Sequence, residues 1–221
     1  MHRSAVILAR CLAFVETYDL APSGRVFFPD VVAELVQRYR FQKFPTQFSE
    51  LDEIKGIEFI EGKAGNEVIE RLVIFSNGIL LDTRSNTRIS VEIIDEALGW
   101  AKEKFGIAYE RGMIRRFGYV SQVTFHSEAS LLTLNPALTR LADRVTSAVS
   151  EFQMERVEFQ AMALLVQHDP LKRKNPLASF TISPRIEVPH SEKKYFSEAP
   201  LPTDLHWELL EEFEAGLLSQ K

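Results

Sequence analysis

The sequence lacks most of the features that announce a function. Cys11 is the only cysteine in 221 residues, which excludes an intramolecular disulfide and any zinc site built on cysteine pairs, and favours a reducing compartment. No run approaches the roughly 20 apolar residues that a membrane-spanning helix requires. Ser4–Phe14 is apolar, but Arg10 interrupts it and no small-residue cleavage site follows, so it does not read as a secretion signal. The net charge of −5 is too mild to create a global field toward nucleic acid or an anionic membrane. A soluble, cytoplasmic chain without membrane contact is expected.

Catalytic motifs are equally scarce. The ten glycines are scattered, with no GxxxxGK[ST] or GxGxxG to cradle a phosphate and no GxSxG elbow for a nucleophilic serine. His2, His126, His168, His190 and His206 form no HExxH, HxxxH or HxH pair. Asp204-Leu205-His206 reads as a helix cap and surface rather than a metal site. His126, beside Ser127 and Glu128 at a strand end, reads as a satisfied or solvated side chain. Cys11 falls inside an apolar strand, where a thiol packs and does not react. Neither a metal nor a cofactor is expected.

What is present is pattern. Ile69–Phe75 and Ile79–Thr83 flank Ser76-Asn77-Gly78, and Asn-Gly between apolar runs predicts a hairpin with a type I′ turn. A loop over 84–89 leads to Ser90 as N-cap of an amphipathic helix, closed by Lys102, Lys104 and Gly106. Before the hairpin come a strand over 5–17, a turn at 21–24, a helix opened by Phe28-Pro29-Asp30, a short helical turn stopped by Gly56, a strand over 57–61 and a turn over 62–65. After it come a strand with alternating faces over Phe117–His126 and a helix from Asn135-Pro136 with the stripe Leu138, Leu141, Val145 and Val149. Strands over 157–167 and 179–188, a polar loop over 191–202 and a terminal helix capped by Thr203-Asp204 complete the chain. Short connections imply antiparallel pairing, so the expected class is α+β, a mainly antiparallel sheet with helices packed on it. One domain over 1–221 is expected. Its element order repeats in outline, giving two β-α-β-β-(β)-α halves over 1–110 and 111–221 without residue similarity. That order resembles helix-grip and saddle-like folds in outline only.

Three function classes follow. The leading expectation is a non-enzymatic binding protein acting through protein–protein contacts or self-association in a larger assembly. Leu72–Phe75 and Ile79–Leu81 are apolar at consecutive positions, so both hairpin faces need cover. Phe75 and Leu81 become candidate contact residues, joined by Lys172, Arg173 and Lys174 at a hairpin tip. The terminal helix adds an acidic face of Glu208, Glu211, Glu212 and Glu214 opposite the apolar stripe Leu205, Leu209, Phe213 and Leu217.

The second class is a nucleic-acid-binding or Mg²⁺-dependent nuclease-like module. Asp30, Glu61 and Lys63 have the outline of a PD-(D/E)xK site, in which two carboxylates hold Mg²⁺ and a lysine polarises the attacking water. Asp30 also suits the first turn of a helix, and a second E-x-K at Glu53-Ile54-Lys55 shows how cheaply the pattern arises. Three basic groups, Arg38/Arg40/Lys43, Arg111/Arg115/Arg116 and Lys172–Lys174, could contact phosphates if they converged. The third class is a small-molecule binder, which would require an apolar pocket of roughly 300 Å³ or more between sheet and helices.

Overall fold

The computed structural model describes residues 1–21, 28–114, 116–131, 136–161, 163–172 and 177–219. Among these, eight strands form an antiparallel sheet accompanied by five helices, the α+β class that the patterning implies. The chain divides into two compact units, one of residues 6–122 and 200–206, the other of residues 1–5, 123–199 and 207–221.

Strand β1 (His2–Ala13), which belongs to the larger unit from residue 6 on, gives way there to the single helical turn α1 (Thr17–Leu20), followed by α2 (Phe28–Tyr39), β2 (Ile57–Ala64), β3 (Glu67–Phe75), β4 (Gly78–Thr83) and α3 (Thr87–Phe105). The strands lie in the order β2-β3-β4-β1. The hairpin is as expected, but its turn is not type I′. Phe75 pairs with Gly78, leaving Ser76 and Asn77 as the central residues, and neither has a positive φ. Gly78 is required for a different reason. It faces β1 so closely that a Cβ there would sit 2.8 Å from the Ala13 carbonyl oxygen.

Helix α3 starts one turn earlier than its sequence suggests. Asn86 is the cap, its side chain accepting from the Arg88 N–H at 2.8 Å. Ser90 is instead buried in the helix, donating to the Ala9 carbonyl at 3.0 Å and lying 3.1 Å from the Thr83 hydroxyl. The helix ends as expected at Gly106, whose φ of 69° and N–H bond to the Lys102 carbonyl close the last turn.

Gly62 also departs from expectation, since it lies within β2 and not in a turn. The Phe41 ring lies over it at a distance that no side chain at residue 62 would allow. At Glu61, whose φ is 58°, the inward-facing set of β2 steps from Ile57 and Phe59 to Gly62 and Ala64.

The core of this unit joins Cys11 and Ala13 of β1, Ile57 and Phe59 of β2, Leu72 of β3 and Leu81 of β4 to Val32, Leu35 and Tyr39 of α2 and Ile93, Ile94 and Leu98 of α3. Leu72 pairs with Leu81 and Ile74 with Ile79, so these four form the hairpin face turned toward the helices. The other face carries Val73, Phe75 and Leu80. Val73 and Phe75 lie under Gly56, where an added Cβ would meet Val73 at 2.6 Å and Phe75 at 2.5 Å. The helix-side face and the Val73 and Phe75 part of the other are therefore packed against the chain's own segments.

In the smaller unit, the end of β5 (Phe117–His126) is followed by α4 (Pro136–Gln153), β6 (Leu164–Val166), β7 (Phe180–Pro184) and β8 (Lys194–Ala199), with β8-β7-β6 in order. The strand expected over 157–167 shrinks to three residues. The preceding N–H groups of Val157 and Phe159 bond to Ser150 and Thr146 side chains of α4 at 3.0 and 2.8 Å, not to a strand. The polar loop expected over 191–202 contains β8. Tyr195, Ser197 and Ala199 alternate inward along it, and Ser197 is satisfied by donating to the Thr181 carbonyl at 2.6 Å. Helix α4 has the expected amphipathic stripe, yet none of its residues is buried, with Leu141 59% and Phe152 84% exposed.

Helix α5 (Thr203–Leu218) is rotated from its expected orientation. Thr203, His206, Trp207, Leu210 and Glu214 are buried, while Leu205 and Leu209 are exposed. Glu214 accepts from Ser127 and from the Glu128 N–H at 3.1 Å, and pairs with the Met1 amine. The turn expected at 21–24 extends into residues outside the described ones, as do Asn135, Arg115, Arg173 and Lys174.

Candidate functional site

An apolar cavity of about 400 Å³ opens in the larger unit between the sheet and helices α2 and α3. Its floor is Ile69, Leu72 and Ile74 of β3 with Ile79 and Leu81 of β4. Its walls are Phe28, Val31, Leu35 and Tyr39 of α2 and Ile93, Ile94, Ala97, Leu98, Trp100, Ala101 and Phe105 of α3. Thr17, Tyr18 and Leu20 of α1, with Ala21, Glu53 and Ile107, complete it.

The cavity follows from how α3 is held. Its first turn is tied to the sheet by Ser90, as above, and to residues 200–206 by a reciprocal pair of bonds. The Thr87 N–H donates to the Thr203 hydroxyl at 3.1 Å, and the Thr203 N–H donates to the Thr87 hydroxyl at 2.9 Å. Beyond its last turn, the Ala108 N–H donates to the Leu20 carbonyl at 2.7 Å, and the Tyr109 hydroxyl donates to Asp95. The helix is fixed at both ends, and between them Ala97 and Ala101 present only methyl groups to the sheet. Side chains of that size leave space that Leu or Phe would fill.

Polar groups in the lining are few. The Tyr39 hydroxyl donates to Glu96 at 2.7 Å, and burial followed by that bond raises its phenol above the ordinary value. Thr17 donates to the Glu53 carboxylate at 2.8 Å and lies 3.1 Å from the Ser76 carbonyl. The arrangement can hold an apolar body and one polar group.

The residues singled out by sequence are dispersed. Leu81 is 1% exposed and forms part of the cavity floor, while Phe75 is half-buried beneath Gly56 on the opposite hairpin face. Lys172 ends a 3-10 turn 4.0 Å from Asp169. Asp30 occupies the first turn of α2, Glu61 lies 4.0 Å from Lys43, and Lys63 lines an open groove with Arg38, Glu92 and Glu96 to which Asp30 and Glu61 do not contribute. No group of three His, Cys, Asp or Glu side chains suited to a metal occurs among the described residues.

Several of the basic side chains have partners. Arg38 pairs with Glu96, Arg111 lies 3.5 Å from Asp95, and Arg116 sits 3.9 Å over the Phe14 ring. No described helix is long and apolar enough to cross a membrane.

Sequence reasoning identified α3 but not its cavity. The available signal was the width of its apolar stripe, Ile93, Ile94, Ala97, Leu98 and Ala101, with alanines at its centre. Glu53 appeared only as part of a chance E-x-K. No protein-family model matches the chain, and no curated protein matches it.

Proposed function

We propose that this protein binds a small, largely apolar molecule between α2, α3 and the β3–β4 hairpin. The observation that supports this reading is the cavity of about 400 Å³, a size at which small-molecule sites begin and with a predominantly apolar lining. Its aromatic side chains, Phe28, Tyr39, Trp100 and Phe105, suit a flat or chain-like hydrocarbon body. The experiment is a titration with N-phenyl-1-naphthylamine, whose fluorescence rises in apolar surroundings. One saturable site is expected in the native protein and none in Ala97→Phe, which fills the cavity from α3. Equal binding by both proteins would remove the cavity from consideration.

A second reading, association through protein–protein contacts, draws support from α4, whose Leu138, Leu141 and Phe152 are exposed. Exposed apolar side chains on one amphipathic helix mark an interaction surface more often than scattered ones do. Sedimentation velocity over a hundredfold range of concentration tests self-association. A concentration-dependent dimer abolished by Leu141→Glu supports it, and a monomer throughout removes it.

A further inference from the structure

We propose that the ligand of this cavity is a cationic amphiphile, a primary amine on an apolar body, with the ammonium group held at Glu53. The inference rests on the cavity reading and adds the chemical class of ligand.

Among the described residues, Glu53 is the only carboxylate or basic side chain in the cavity lining. It is half-buried, and the partner of its carboxylate is the Thr17 hydroxyl, which donates to Oε2 at 2.8 Å. No lysine, arginine or histidine lies within ion-pairing distance of it among the described residues. A carboxylate offers about four lone-pair positions, and Thr17 occupies one.

Its place is fixed by backbone bonds. The Ser76 N–H donates to the Glu53 carbonyl at 3.0 Å, and the Thr17 N–H donates to the Ser76 carbonyl at 2.9 Å. Glu53 is thus held between α1 and the hairpin turn, with the Thr17 hydroxyl beside its carboxylate in a mainly apolar lining. A ligand with an ammonium group would add an ion pair and hydrogen bonds at this carboxylate that an uncharged head group cannot form. An alcohol would supply one hydrogen bond. An ammonium supplies three donors and the missing charge, and hydrogen bonds to ionised groups are about twice as strong as neutral ones. An anionic head group would be repelled, which separates this site from carriers of fatty acids.

The test uses decylamine, 1-decanol and decanoate, each displacing N-phenyl-1-naphthylamine from the native protein and from Glu53→Gln. Glutamine keeps an acceptor for Thr17 and removes the charge. In the native protein decylamine should displace the probe roughly tenfold more effectively than decanol, with decanoate weakest; charge-assisted bonding readily supplies that ratio. In Glu53→Gln the advantage of the amine should vanish while decanol is unchanged. Equal displacement by amine and alcohol in the native protein overturns the proposal and leaves the cavity reading intact. So does an amine preference that survives in Glu53→Gln, or failure of all three to displace a bound probe. If the probe itself does not bind, the cavity reading falls and this proposal falls with it.

Discussion

At the scale of single residues, the most informative side chains are polar ones that the fold buries. His206 is fully buried, and that burial pushes its imidazole down to about 4. A folded histidine that refuses a proton which the unfolded chain accepts below 6.5 supports stability fully above that pH. The support is lost as pH falls toward 4, and amounts to about 3 kcal/mol over the whole window. Urea midpoints at pH 7, 6 and 5 should fall steadily, and His206→Gln should flatten the decline. Parallel declines would contradict the assignment.

Glu214 is 4% exposed. Burial alone would raise its carboxyl, but the Met1 amine, the Ser127 hydroxyl and the Glu128 N–H outweigh it and hold the group below the ordinary carboxylate value. Glu214→Ala should cost about 3 kcal/mol because it strips buried donors of their acceptor. Glu208→Ala, on the exposed side of α5, should change stability by less than ~0.5 kcal/mol in the same denaturation assay. The Cys11 thiol, pushed up to about 12 by burial, should react with a disulfide reagent at pH 8 only after urea unfolds the chain.

At the scale of elements, the caps and edges decide where sequence pattern is enough. Asn86→Ala should lower stability by about 1 kcal/mol, read from a denaturation midpoint, because it removes the cap of α3. It also removes the bond from the Asn86 amide to Asp204 at 2.7 Å. The bounds of β5, the start of α2 at Phe28, the hairpin and the Gly106 cap were legible because each rests on local chemistry: alternation, a first-turn acid, apolar runs around a turn, and an αL glycine.

Elements whose partners are distant in sequence were not legible. Ser90 resembles a cap but serves a carbonyl on β1, and Ser197 resembles loop but is satisfied by β7. The face of α5 was misread because hydrophobicity ranks Leu205 above His206 and Glu214. The fold buries the latter two, and for Glu214 it supplies the hydrogen bonds and an amine. The cavity was not legible for a related reason. Ala97 and Ala101 look like ordinary helix formers until α3 is pinned at both ends.

At the scale of the whole molecule, the proposed ligand site is the open apolar cavity of the larger unit. The lining offers its own reporters. Ile69, Ile74, Ile79, Ile93, Ile94 and Ile107 face the cavity, whereas Ile182 lies in the core of the smaller unit and Ile186 is exposed. The most direct measurement is a titration of protein labelled at isoleucine δ1 methyls with N-phenyl-1-naphthylamine, followed by methyl NMR. Saturable shifts are expected at the six cavity isoleucines, with Ile182 and Ile186 unmoved. Shifts confined to Ile182, Ile186 or other isoleucines outside the cavity, or no saturable shift at the six, would contradict the proposed site.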